Sequence, residues 1–298
     1  VFTIGKFVFT LYYVYSFYEF YQGFVSFVFL KSLIIHQKKY QMKKIVLLLS
    51  SIILVATGCS KDEPKNPSED WFEQIPDPVF REYCRRFDVD HDGKLSHDEI
   101  LAVKRINFVQ EGITTISSLV GIEYFTALEY LDCRSNQLAG LDVAKNTMLT
   151  KLYCNFNELS SLDISANTVL KELFCSTNKL SHIDVSKNIA LTDFDCSYNQ
   201  LTNLDVSKNT ALTRFSCSVN KLKNIDVVNN IALATFYCLG NQLETLNISK
   251  NRALWDMDCT DNITGLRIFV WRDFDVENPE NSIQEISTDP DVVFVPVE

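Results

Sequence analysis

The sequence predicts a strand-rich, right-handed solenoid of the α/β class, with two short strands in each 21-residue coil and helices confined mainly to an N-terminal cap. Two observations carry this prediction. First, the pattern L-x-x-[LFM]-x-C-x-x-N returns seven times at constant spacing, with its cysteines at Cys133, Cys154, Cys175, Cys196, Cys217, Cys238 and Cys259. A unit this short cannot bury its own apolar face, so neighbouring units must stack into a continuous core. Second, within one unit Leu152, Cys154, Leu162 and Ile164 alternate with polar or exposed-type residues, the period-two signature of half-buried strands. No room remains in the unit for a long helix.

The repeat ladders follow from that stacking. Leu128, Leu149, Leu170, Leu191, Leu212, Leu233 and Leu254 lead the units, and Asn136, Asn157, Asn178, Asn199, Asn220, Asn241 and Asn262 close the motif. With Cys in place of the last strand leucine, residues 103–270 resemble leucine-rich repeat proteins. The resemblance implies that each Asn points inward and satisfies backbone groups that a tight turn strands in the core. Losing such a partner costs about 1–3 kcal/mol. The cysteines lack CxxC spacing and accompanying His, and a buried free Cys packs as a small hydrophobe. In-register parallel neighbours also orient their Cβ bonds alike, which suits disulfide geometry poorly. A second ladder, Asp142, Asp163, Asp184, Asp205 and Asp226, ends in Asn247 within L-D-V-S-x-N. Asp and Ser at this spacing bond nearby backbone amides in turns, and a row of cation sites is the alternative.

Open solenoid ends need covers. Val103, Ile106 and Phe108, with Ile113, Ile116, Leu119, Ile122 and Phe125, read as a degenerate first coil. The last repeat loses one position between Asn262 and Leu266, and Ile268–Trp271 and Val292–Pro296 read as strands over the final coil. Pro279 and Pro290 argue for loops between them. The expected divisions are a cap at 71–127, the solenoid at 128–273 and a C-terminal cap at 274–298.

One constellation has defined chemistry. From Asp88 to Glu99, carboxylates fall at loop positions 1, 3 and 5 (Asp88, Asp90, Asp92), with Gly93 at 6, Leu95 at 8, Ser96 at 9 and Glu99 at 12. This resembles the twelve-residue EF-hand loop. Ca²⁺ needs six to eight oxygens, which Asp88, Asp90, Asp92, the Lys94 carbonyl, Ser96 and bidentate Glu99 would supply around a turn that Gly93 permits. Asp77-Pro78 makes an N-cap and first helical position, and Phe80, Cys84 and Phe87 give an apolar helical stripe before the loop. A single loop fused to a repeat cap suits a structural ion better than a sensor. Residues 75–125 resemble the N-terminal region of leucine-rich repeat lipoproteins from Bacteroides-type bacteria, a likeness that implies surface binding and names no ligand.

The front of the chain reads as a leader. Met42-Lys43-Lys44 and the apolar run from Ile45 to Val55 end at Gly58-Cys59 and a polar stretch, and here the chain resembles bacterial lipoproteins, with Ala56 where that class prefers Leu. Cys59 is then the acylated N-terminus and the sole membrane attachment. Lys61-Asp62-Glu63 resembles an export signal, implying display on the outside of the bacterial outer membrane. Residues 1–41 hold 14 of the 36 aromatics and precede a complete leader, so Met42 is the expected start and 1–41 an upstream extension. Residues 59–70 are a tether.

Outward positions of the first strand would meet a partner. Tyr130, Asp132, Tyr153, Phe156, Phe174, Asp195, Tyr198 and Tyr237 lie in columns that vary where the core ladders repeat. Exposed aromatics there suit a protein or glycan ligand, because aromatics dominate interface energetics. The formal net charge of −10 argues against nucleic acid as a partner. A spacer without a ligand is the competing class. Enzyme signatures are missing: no G-x-S-x-G, zinc spacing or Gly-rich phosphate loop occurs, and His91 and His97 fall at non-ligand positions of the loop.

Overall fold

The computed structural model describes residues 71–275 and 283–297, which belong to one compact unit beginning at residue 66. Cys59, the leader, the tether and residues 1–41 lie outside the described residues, as does Pro279. The unit opens on a short 3-10 turn, Trp71–Gln74, followed by helix α1 (Pro78–Cys84) and a second 3-10 turn, Arg85–Phe87. Helix α2 (His97–Ala102) follows the acidic loop.

Nine strands then form one parallel sheet: β1 (Arg105–Asn107), β2 (Tyr130–Asp132), β3 (Lys151–Tyr153), β4 (Glu172–Phe174), β5 (Asp193–Asp195), β6 (Arg214–Ser216), β7 (Thr235–Tyr237), β9 (Asp256–Asp258) and β11 (Glu285–Ser287). A second, three-stranded parallel sheet orders β12 (Val293–Pro296), β10 (Arg267–Val270) and β8 (Thr245–Asn247). The register is the repeat itself. Leu131, Leu152, Leu173, Phe194, Phe215, Phe236 and Met257 are successive Cα partners, all buried. Where that ladder turns aromatic, the rings stack: Phe194 on Phe215 at 5.6 Å and Phe215 on Phe236 at 5.4 Å between centroids. The repeat cysteines are free and buried among these residues. Burial pushes their thiols upward, to about 12 for Cys154 and Cys259, so none presents a thiolate near neutral pH.

The second half of each coil departs from the expectation of two strands. Around the Asp ladder the described residues form isolated bridges, Asp142 to Asp163 and Asp226 to Asn247, and a strand, β8, is formed only toward the C-terminal end. A turn follows each Asp: Asp163 Oδ1 accepts the Ser165 amide at 2.9 Å, and Asp184 and Asp205 take Ser186 and Ser207 at 2.8 Å. The same bond follows Asn247 at the end of β8 and Asp195 at the end of β5, so it marks where the chain turns in either half of a coil. Those backbone and hydroxyl bonds hold Asp163 and Asp184 below the usual carboxylate range.

Two asparagine ladders lace the coils. Asn157 Nδ2 donates to the Cys133 and Cys154 carbonyls, each at 3.0 Å, while its Oδ1 accepts the Leu138 amide at 3.0 Å. Each such residue thus pins its own coil to the preceding one. The second ladder, Asn146, Asn167, Asn188, Asn209, Asn230 and Asn251, is fully buried. Asn188 Nδ2, for example, donates to Ile164 O at 3.0 Å and Asn167 O at 2.9 Å. Sequence reasoning passed over this row, although the same 21-residue period marks it inside L-D-V-S-x-N.

At the ends, β1 adds a first rung and β11 a last one. The shortened final repeat runs into β10, whose Ile268 pairs with Leu246 on one side and Phe294 on the other. In the N-terminal cap Phe80 and Tyr83 pack edge-on against Phe108 at 5.9 and 4.7 Å, and Phe87 against Phe125 at 5.7 Å. Asp77 bolts this cap to the stack. Its Oδ1 accepts the Val79 and Phe80 amides, and its Oδ2 accepts the Ser117 amide and hydroxyl and the Ser118 amide. Among the described residues no helix is long and apolar enough to cross a membrane.

Candidate binding face and acidic loop

Alternation along each three-residue strand sends its middle residue into the core and its two flanking residues outward. In β3, β4, β7 and β9 both flanks are half-buried, as the repeat register dictates. Tyr130, Tyr153, Phe174, Asp195 and Tyr237 occupy such positions, whereas Phe156 and Tyr198 stand 55% and 58% exposed on the turn that follows. Asp132 does not belong with them. It is fully buried, accepting from the Tyr130 hydroxyl at 3.1 Å and paired with Arg134 at 3.0 Å. A carboxylate in the first full coil is covered by its own long neighbours and presents no surface outward.

The aromatic residues meet. Tyr130 lies edge-on to Tyr153 at 5.3 Å, and Tyr153 stacks on Phe174 at 4.8 Å with rings 10° apart. Arg105 lies over the Tyr130 ring at 3.7 Å. Burial pushes the Tyr153 phenol up, as does its donation to Glu172, which also pairs with Lys151 at 2.6 Å. Beyond Phe174 the face drops into a hollow of about 570 Å³ lined by Phe156, Phe174, Asp195, Tyr198, Arg214 and Tyr237. Its floor is the row directly after the cysteines, Ser176, Ser197 and Ser218, which sequence reasoning did not single out. The signal was present, since three successive coils carry the same small hydroxyl. Of the expected contact residues, five line this one hollow; Tyr130 and Tyr153 meet edge-on at its N-terminal rim.

In the acidic loop, His91 (φ 60°) and Gly93 (φ 83°) take left-handed conformations that curl the backbone inward. Glu99 closes the loop on itself. Its Oε1 accepts the Val89 amide at 2.6 Å, and its Oε2 accepts the Ser96 amide at 2.8 Å and hydroxyl at 2.7 Å. Burial raises this carboxyl, but those hydrogen bonds outweigh it and hold it below the usual range. Ser96 and Glu99 also make a capping box at the start of α2. Oxygens of Asp88, Asp90 and Glu99 lie within 4.8 Å of one another. Asp88 Oδ1 is buried without a hydrogen-bond partner, while Oδ2 accepts the Gly93 amide at 3.0 Å. Asp92 instead accepts the Lys94 amide at 2.8 Å, outside the trio. An all-oxygen set with one orphaned carboxylate oxygen fits a hard cation such as Ca²⁺.

No protein-family model matches the sequence, and no curated protein matches it significantly. Solved structures do. Internalin C2 from Listeria monocytogenes aligns over 77% of this chain and 100% of its own, at 19% identity and a TM-score of 0.61. A leucine-rich repeat protein from Leptospira interrogans aligns over 58% of this chain and 47% of its own, at 23% identity and a TM-score of 0.50. The functional domain of the Listeria monocytogenes protein InlJ, described as including a cysteine ladder, covers 78% of this chain at 20% identity and a TM-score of 0.41. At 19% identity the likeness to internalin C2 establishes the fold alone, a parallel-strand leucine-rich repeat solenoid.

Proposed function

We propose that this chain is a lipid-anchored cell-surface protein that binds another protein through the strand face of its solenoid, with structural Ca²⁺ in the N-terminal cap. The observation that carries the binding role is the run of partly exposed aromatics leading into the hollow at Phe174, Asp195 and Tyr237. Such rings are costly to leave in water and gain most when a partner covers them. A ligand-free spacer gives no account of that concentration on one face.

The test is the triple substitution Tyr153→Ser, Phe174→Ser and Tyr198→Ser. Loss of exposed Tyr198 moves stability by about 0.5 kcal/mol or less, and loss of the half-buried Tyr153–Phe174 stack costs about 0.5–1.5 kcal/mol, while interface aromatics cost about 2 kcal/mol or more each of binding. The variant should stay folded, melting only a few degrees lower, and lose affinity for a partner captured from candidate host or bacterial proteins. Retained affinity returns the spacer, and capture of glycans alone replaces the protein partner with a sugar. The anchor rests on Gly58-Cys59 after the apolar run. Cys59→Ala should move the protein out of the membrane fraction or block its processing; unchanged partitioning would remove the anchor.

A further inference from the structure

Resting on the strand face as the partner surface, we propose that the gap between Phe174 and Tyr237 is a socket for a cationic side chain carried by a basic segment of the protein partner. Register creates the gap. Phe174, Asp195, Ser216 and Tyr237 are successive Cα partners across β4 to β7. Two short side chains therefore stand between two rings about 14 Å apart, three steps of the usual strand spacing. Tyr153 covers one face of the Phe174 ring, which leaves the other turned toward the gap. Tyr237 donates its hydroxyl to Asp256, which fixes the far wall and helps push its phenol up to about 12. Hydroxyls interrupt the largely apolar lining of the hollow, with those of Ser197 and Ser216 2.6 Å apart.

Charge selects the occupant. Toward the N-terminal end, Asp132 is paired with Arg134 and Glu172 with Lys151. Beside the gap, Asp193 holds Arg214, neutralising the one cation that lines the hollow. Asp195 is left in no ion pair among the described residues; its Oδ1 accepts the Ser197 amide at 3.0 Å. Asp256 and Asp258, on β9, add two more carboxylates that no ion pair among the described residues neutralises. An entering cation would gain a half-buried carboxylate and the face of the nearer ring, Phe174, on the rung beside Asp195. An anion would meet uncompensated negative charge, and a neutral sugar would stack while leaving Asp195 unused.

The test uses the chain from Ser60 onward, with acetylated hexa-arginine, hexaglutamate, a neutral Gly-Ser hexapeptide and cellohexaose as probes, followed by calorimetry at low and physiological salt. Hexa-arginine should bind about tenfold more tightly than the other three. Asp195→Asn should weaken it about fivefold, while Asp205→Asn, in the opposite half of its coil, leaves it unchanged. Equal losses in the two variants mean a diffuse field and overturn the socket, as does tighter binding of cellohexaose. Binding that falls in Phe156→Ser/Tyr198→Ser but not in Asp195→Asn keeps the face and overturns the socket. Binding that ignores both variants overturns the two together.

Discussion

One backbone position in every coil sits in the left-handed region: Ser135, Phe156, Thr177, Tyr198, Val219, Gly240 and Asp261, with φ between 51° and 65°. Only one of the seven is the residue that suits it. The turn is imposed by what surrounds it, since two positions earlier each cysteine amide is tied to the next coil and one position later each Asn is pinned inside. Val219 and Thr177, β-branched at φ 51° and 53°, bear the heaviest penalties of the set. Val219→Gly should therefore stabilise the protein by about 1 kcal/mol, the left-handed penalty less the extra chain entropy of glycine. Gly240→Ala should do the reverse, because its new Cβ would keep a positive φ and meet Val219 Cγ2 at 3.3 Å. Urea unfolding of both variants checks the pair. If Val219→Gly weakens the fold, its side chain contributes more than its backbone costs.

Among the elements, α1 is tied to the stack by one carboxylate, Asp77, which bonds both the helix start and Ser117 and Ser118. Burial raises the Asp77 carboxyl, but its hydrogen bonds to Phe80, Ser117 and Ser118 prevail and hold it below the usual carboxylate range. A carboxylate with a depressed folded-state value contributes stability that is present above its unfolded value, about 3.9, and is lost as pH falls through the folded one. The cap should accordingly loosen from the stack below about pH 4. Melting followed from pH 6 to pH 3 should show a steeper fall in the parent than in Asp77→Ala. Parallel curves would show that other carboxylates govern acid sensitivity. The motif Asp-Pro made α1 legible in sequence, whereas the reach of Asp77 to Ser117, 40 residues away, was not.

A solenoid is held together by nearest-neighbour contacts, so the whole molecule is most easily opened from its ends. That gives the acidic loop, at the N-terminal end, a stabilising role larger than its size. If Ca²⁺ binds there, saturation at a hundred times its dissociation constant adds about 2.7 kcal/mol. Chelation should then lower the melting temperature of the parent and leave Glu99→Ala, which lacks the residue that closes the loop, indifferent to chelator. A parent that melts identically with and without chelator reduces the loop to an acidic turn built on its own hydrogen bonds.

The sequence by itself determined the coil length, the inward Leu, Phe and Cys ladders, the first Asn ladder and the carboxylate order of the loop. These are periodic or local, and a fixed period converts sequence spacing directly into stacking register. It also placed the outward columns, because alternation along a strand is a property of the backbone. What only the tertiary structure decided depends on unlike neighbours in adjacent coils. Asp132 looks outward in sequence yet is buried, because Tyr130 and Arg134 close over it. The second strand shrinks to bridges over most of the stack and lengthens only at β8, where β10 pairs with it. The hollow exists because two short side chains fall between Phe174 and Tyr237 on successive rungs. Side-chain volume across the stack sets that relief, and the period repeats the register without fixing the volumes.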